Sequence, residues 1–270
     1  MAQYKTISSD LVGELFSVKD RVCLVVGTGG LGACTAEAFA HNGARVALAN
    51  RTKEKADDLA EKLTKEGFEA KSYQIDVRSL DDCKRVTDEV ERDFGRIDIL
   101  IFTSAVAIIN DPLNPDEKDL EETIKTNFLG GVHINETVAA VMRKNHWGRI
   151  ININSIDAFT VNCTDGMDYA AAKAALAAST RAFAVNFAKD GITVNGIAPV
   201  WIWTPMMDQR PSDYMKQAAA GIPEGRISYP EDYLGALFFL SSEAGSYVTG
   251  QTLLIDGGWS VNRIFQYKDS

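Results

Sequence analysis

Apolar residues fall along the chain in short unbroken runs separated by longer stretches of mixed polarity. Residues 21–26 (RVCLVV), 44–49 (ARVALA), 70–75, 97–102, 149–153, 192–197 and 251–255 have the length of strands, and the first reads as a buried strand. Between them, residues 33–42, 53–66, 80–94, 116–144 and 167–189 carry helical spacing. Gly43, Gly67 and Gly95 close the first three of these, as glycines at helix C-termini often do. Strict alternation of strand and helix predicts an α/β fold, a doubly wound parallel sheet of about seven strands with helices on both faces. No repeat, low-complexity tract or Pro/Gly-rich linker divides residues 1–270, so a single domain is expected. Residues 199–230, rich in Pro, Trp and Met, follow the sixth strand. Ligands in such folds bind beyond the carboxyl ends of the strands, so this segment reads as a substrate lid.

Composition adds exclusions. The 270 residues are 46% hydrophobic and 24% charged, enough for a large core without covalent staples. The net charge of -9 argues against nucleic acid or an anionic membrane surface as partner, because both require basic patches. Cys23, Cys34, Cys83 and Cys163 show no C-x-x-C spacing, and His41, His133 and His146 complete no ligand set, so no metal is expected. Residues 1–20 lack the basic start and apolar core of a signal peptide, and no apolar run reaches the length of a membrane span. The longest, residues 97–109, is interrupted by Asp98, Thr103 and Ser104. Reduced thiols in a cytoplasmic protein are the expectation.

Gly27, Gly29 and Gly32 fit G-x-G-x-x-G between a predicted strand and a predicted helix, the context in which this motif makes a Rossmann-like dinucleotide loop. Gly27, Thr28, Gly29, Leu31 and Gly32 would let backbone N–H groups approach a pyrophosphate at the helix N-terminus. The second strand ends in Asn50-Arg51, where an acidic residue would bind the ribose diol of NAD. Arg51, with Lys53 nearby, suits a 2′-phosphate instead. NADP(H) is therefore favoured, with NAD(H) open if Arg51 is only a solvated loop residue.

Tyr169 and Lys173 stand four apart in an alanine-rich helical segment, on one face. A phenol titrating near pH ~10 exchanges protons poorly at neutral pH, and a neighbouring ammonium lowers that value toward the useful range. Ser155 follows a strand and is placed to donate to an oxygen that gains charge. Taken alone, a Tyr–Lys pair is an ordinary helical pair. The upstream dinucleotide loop and the strand-end serine make it a candidate proton-transfer site.

With these motifs the chain resembles the short-chain dehydrogenase/reductase family over residues 16–259. The Ser155, Tyr169 and Lys173 set is the most specific part. Asn127 in KTNFLGG, Asp76-Val77, the run from Asn195 to Pro199, Thr204 and the closing Ile255-Asp256-Gly257-Gly258 also match. The resemblance implies Tyr169 as general acid/base, Lys173 on the nicotinamide ribose, Ser155 orienting the carbonyl and Asn127 supporting a relay water. It further implies Asp76 and Val77 at the adenine, and Pro199 and Thr204 beside the cofactor. It implies hydride transfer between the cofactor and a small-molecule ketone or secondary alcohol, and a homotetramer, with which the small face around Ala171, Ala175 and Ala178 is compatible. Four departures stand out. The glycine loop VGTGGLG is one residue shorter than the family's usual loop, Phe102-Thr103-Ser104-Ala105 replaces Asn-Asn-Ala-Gly, Val200 replaces a glycine, and the Ser-to-Tyr gap is one residue longer than the family's.

Trp201 and Trp203, with Met206, Met207 and Tyr214, suggest packing of a cyclic ketone or a polyhydroxylated aromatic in its keto form. Packing of the lid on its own core is the alternative for these side chains, and a sugar acid or polyol is the alternative substrate. Two other functions compete: a cofactor-sensing or scaffold protein that has lost turnover, and nicotinamide-free halohydrin chemistry. Against the latter, its signature carries Arg where this chain has Lys173.

Overall fold

A computed structural model of the chain describes residues 10–108, 111, 113–161, 166–204 and 212–262. Cys163, Met206, Met207, part of the expected lid and most of the C-terminal tail lie outside the described residues.

In chain order the elements are α1 (Leu11–Leu15), β1 (Val22–Val26), α2 (Gly30–His41), β2 (Arg45–Asn50), α3 (Lys53–Lys65) and β3 (Ala70–Gln74). Then follow α4 (Leu80–Phe94), β4 (Ile99–Phe102), α5 (Glu117–Ile124), α6 (Gly130–Lys144) and β5 (Gly148–Ile153). The chain continues through α7 (Met167–Phe187), β6 (Ile192–Pro199), α8 (Ser212–Gly221), α9 (Leu234–Ser241) and β7 (Thr252–Ile255). The strands form one seven-stranded sheet in the order β3-β2-β1-β4-β5-β6-β7, every pairing parallel. The doubly wound, Rossmann-like sheet expected from the sequence is thus present.

The unbroken apolar runs have a direct cause. Along β1, Val22, Leu24 and Val26 pack into a core with residues of α4, α6 and α7. Cys23 and Val25, pointing the other way, pack into a second core with α2, α3 and α9. Both faces of the strand are therefore dry.

The structure revises three expectations about elements. Helix α2 begins at Gly30, inside the glycine cluster, and not at residue 33. The single helix expected over 116–144 is interrupted by a π-helical turn, Lys125–Leu129, between α5 and α6. Helix α9 (LGALFFLS) had no counterpart in the sequence reading, because a short helix that is apolar all round has no periodicity to reveal it. Among the described residues, no helix is long and apolar enough to cross a membrane.

Candidate active site

The strand order reverses between β1 and β4, and at that switch point the loops leaving the carboxyl ends part to form a crevice. A groove of about 780 Å³ runs there, lined in turn by residues following β1, β2, β3, β4, β5 and β6. Its volume is in the range of small-molecule and cofactor sites.

The glycine loop forms one wall. Gly27 has φ +102 and Gly30 φ +38, backbone that side chains rarely adopt. Thr103 holds the loop from below, its Oγ1 donating to the Gly27 carbonyl oxygen at 2.7 Å. Thus the replaced Asn-Asn-Ala-Gly segment supplies its own support. A Cβ on Gly29 would meet nothing within 4 Å, so the loop is bare toward the groove. Gly29 is the N-cap of α2 and no side chain caps the helix; the Gly32 N–H turns back to the Gly29 carbonyl at 2.8 Å and Gly32 does not line the groove, which leaves the amides of Gly30 and Leu31 toward a ligand anion. Thr204 stands across the groove, near enough that a Cβ on Gly30 would come within 2.8 Å of its Cγ2.

At the far end, Asn50 Nδ2 donates to Thr28 Oγ1 at 2.7 Å, tying the end of β2 to the glycine loop. Arg51, Thr52 and Lys55 line the groove beyond it. Arg51 Nη1 donates to Glu122 Oε1 of α5 at 3.0 Å. Arg78 also pairs with Glu122 and forks onto Asp76, with Nε to Oδ1 at 2.8 Å and Nη2 to Oδ2 at 2.6 Å. The guanidinium of Arg78 holds the Asp76 carboxyl below the usual carboxylate range. Val77 is buried, and Gly130 packs so closely on its side chain that a Cβ there would collide.

At the other end, Ser155, Tyr169 and Lys173 converge. Lys173 is 1% exposed, and its Nζ donates to the Ile153 carbonyl oxygen at 2.7 Å. Nζ also lies 5.6 Å from the centroid of the Tyr169 ring. Burial pushes the ammonium down to about 8. Ser155 Oγ accepts from the Asp157 backbone N–H at 3.2 Å and donates to Asp157 Oδ2 at 2.9 Å. Asn127 sits in the π-helical turn, its Oδ1 accepting from Val106 N at 2.8 Å and its Nδ2 donating to Val106 O at 2.7 Å. It fastens the loop after β4 and does not itself line the groove. Asn154, 2% exposed, does line it, and neither polar atom of its side chain has a hydrogen-bond partner among the described residues. Such orphaned atoms call for water or a ligand. The bare loop and the uncapped helix fit an extended dinucleotide.

The lid tryptophans are elsewhere. Val200, Ile202 and Thr204 line the groove, whereas Trp201 and Trp203 pack with Met215, Ala218 and Ile227. Trp201 also meets Trp259 edge-on at 5.0 Å. Alternation along this extended segment sends the two indoles to the lid's own core and away from the site expected for substrate. Sequence reasoning missed Thr103, Glu122, Asn154 and Asp157. Asn154 and Asp157 carried a local signal, flanking the strand-end serine; the other two approach the site only through the fold.

A family model described as Enoyl-(Acyl carrier protein) reductase matches residues 25–260. The chain belongs to the short-chain dehydrogenase/reductase family, a family of oxidoreductases. A sorbose reductase from Candida albicans is 36% identical over 252 residues, covering 92% of this chain and 89% of that protein. A cis-4-hydroxycyclohexanecarboxylate dehydrogenase from Sinomonas cyclohexanicum is 34% identical over 251 residues, covering 92% and 99%. Among solved structures, a gluconate 5-dehydrogenase from Burkholderia cenocepacia in complex with NADP and tartrate superposes with TM-score 0.87 at 29% identity, covering 92% and 98%.

Proposed function

We propose that this oxidoreductase transfers a hydride between NADP(H) and a ketone or secondary alcohol, with Tyr169 as the group that exchanges the proton. The observation that carries the reading is Lys173. A lysine withdrawn from water with its ammonium 5.6 Å from the centroid of a tyrosine ring is costly to bury. Its charge, close to the ring, favours the phenolate over the phenol, the form that accepts the proton. The Ile153 carbonyl fixes the ammonium in place. Ser155 Oγ orients the carbonyl and stabilises oxyanion character as the bond reduces.

The nicotinamide, when bound, supplies or accepts the hydride. Gly27, Thr28, Gly29, Leu31 and Gly32 would hold its pyrophosphate, and Asp76 and Val77 would flank the adenine. Pro199 and Thr204 would face the nicotinamide half. Arg51 and Lys55 beside Asn50 favour a 2′-phosphate over a bare ribose diol. The relatives include one named for a ketose and one named for a cyclic alcohol, so both substrate classes expected from the sequence remain in view. Ala171 and Ala178, exposed on α7, suit contact with another copy in a homotetramer.

Replacement of Tyr169 by Phe tests the assignment. With NADPH and a panel of ketoses and cyclic ketones, turnover is expected to fall by about 10²–10⁴ while NADPH binding, followed by fluorescence, stays within about twofold. Near-wild-type turnover in the variant would overturn it.

A further inference from the structure

Asp256-Gly257-Gly258-Trp259 follows the last strand and lines no part of the groove. It forms a turn folded onto the lid. Gly257 has φ +59 and Gly258 φ +88, backbone that a side chain would strain. The Asp256 carboxylate holds the turn, accepting from the Gly258 N–H at 3.0 Å and from the Ser260 N–H at 2.8 Å. The Glu224 N–H donates to the Gly257 carbonyl oxygen at 3.2 Å. A Cβ on Gly257 would come within 2.7 Å of Ile222 Cγ2, so turn and lid are in close contact.

The turn delivers the indole of Trp259 to the end of α8. A Cβ on Gly221, the last residue of that helix, would stand 2.5 Å from Trp259 Cζ3. Met215, Ala218 and Gly221 follow one another at three-residue spacing, so they are neighbours along the helix surface. Met215 and Ala218 pack with Trp201, and Trp259 meets Trp201 edge-on at 5.0 Å. Trp201 is thus held from two sides. Its indole is held by α8 and Trp259. Its carbonyl oxygen accepts from Ser228 Oγ at 2.7 Å, and that hydroxyl lies 2.6 Å from the hydroxyl of the fully buried Tyr233. The chain neighbours of Trp201, Val200 and Ile202, line the groove. They leave β6 beside β5, whose end carries Ser155. Side chains alternate along an extended segment, so any shift of the Trp201 indole carries two groove-facing side chains with it.

We propose that Trp259 is a positioning residue for substrate: through Trp201 it sets where Val200 and Ile202 stand at the substrate end of the groove, and Gly221 is glycine because the indole occupies the space of a side chain there. The inference rests on the reading of Ser155, Tyr169 and Lys173 as a carbonyl site.

The experiment is a double-mutant cycle of Gly221→Ala and Trp259→Phe, with Trp259→Ala beside it. L-sorbose and cyclohexanone, with NADPH, probe the substrate end. Adenosine 2′,5′-bisphosphate, titrated directly, probes the far end. Gly221→Ala drives the indole from its seat and is expected to raise KM about tenfold with kcat within about threefold. In the Trp259→Phe background the smaller ring leaves room, and the same Gly221→Ala is expected to change KM by less than about twofold, a coupling that independent sites do not show. Trp259→Ala is expected to raise KM about tenfold, while the dissociation constant of the bisphosphate stays within about twofold in every variant. A merely structural role would instead lower the melting midpoint and weaken both ends of the groove together. Additive effects of Gly221→Ala and Trp259→Phe, an unchanged KM in Trp259→Ala, or bisphosphate affinity falling alongside substrate affinity would each overturn the proposal. Should Trp259→Ala not fold, the cycle with Trp259→Phe decides alone. Where the wild type turns over neither probe, their dissociation constants on the NADPH-loaded protein are read in place of KM, with the same changes expected. Failure of the underlying reading shows separately, in Tyr169→Phe retaining turnover or in the absence of dinucleotide binding.

Discussion

Lys173 is a charged side chain held where water does not reach it, and the fold bears that cost. Its folded value near 8 lies below the ordinary lysine value, so the native chain sheds this proton before the unfolded chain does. Below about pH 8 both states are protonated and the full penalty, on the order of 3 kcal/mol before the Ile153 hydrogen bond is counted, weighs against folding. From about pH 8 to 10.5 the native state is neutral while the unfolded one is still charged, and the penalty fades as pH rises. Lys173→Met keeps the length and removes the charge. At pH 7 the variant is expected to be more stable than wild type by about 1–2 kcal/mol in urea unfolding, a gap that closes by about pH 10. Carbonyl reduction in the same variant should be lost by about 10² or more. A stability difference between variant and wild type that is the same at both pH values would show that the ammonium carries no burial penalty. Tyr169 and Lys173 were legible in the sequence because a spacing of four within one helix fixes their shared face. What the spacing does not contain is how deep the face is buried, and that depth is what gives the pair its electrostatics.

At the scale of elements, the end of the groove proposed for the adenosine is organised by α5 as much as by the loops that line it. Glu122 reaches from α5 to Arg51 after β2 and to Arg78 after β3, partners 71 and 44 residues away in the chain. Such separations leave no local pattern, so the sequence revealed the cations without the carboxylate that engages them. Glu122 occupies a guanidinium that would otherwise meet a 2′-phosphate, and adds a like charge beside it. Both partners are partly exposed, which limits the effect. Glu122→Gln is expected to tighten NADPH binding about two- to fivefold and to leave NADH within about twofold, measured by fluorescence titration at low salt. Equal changes for both dinucleotides would remove the 2′-phosphate from the account; weaker NADPH binding would instead make Glu122 a positioner of Arg51. The π-helical turn between α5 and α6 makes the same point about legibility. The polar and apolar positions of residues 116–144 continue through it, and the departure shows in the backbone, where the Gly130 N–H reaches five residues back to the Lys125 carbonyl, and in the long-range bonds of Asn127 to Val106.

At the scale of the molecule, the fold was legible almost throughout because a parallel sheet dry on both faces writes its strands as unbroken apolar runs. Legibility failed where structure came without period: at α9, apolar all round, and at the lid, where alternation along residues 200–204 decides which side chains reach the groove. It was the small side chains of that segment, and not the two indoles, that faced the site. The groove itself is a property of the whole sheet, since loops after six of the seven strands line it. A dinucleotide lying along it would bridge both halves of the sheet across the β1/β4 switch point, and no such surface exists in the unfolded chain. Binding therefore adds to the unfolding free energy of the entire sheet by mass action. At 100-fold excess over its dissociation constant, NADPH is expected to add about 2.7 kcal/mol. For a chain of this length that raises the melting midpoint by about 5 °C, measured by scanning calorimetry at one fixed protein concentration. NADH at the same concentration should raise it less, in proportion to the logarithm of its weaker affinity. A midpoint unmoved by either dinucleotide would sink the assignment of the groove, and an equal rise with both would leave the groove in place and remove the preference drawn from Arg51.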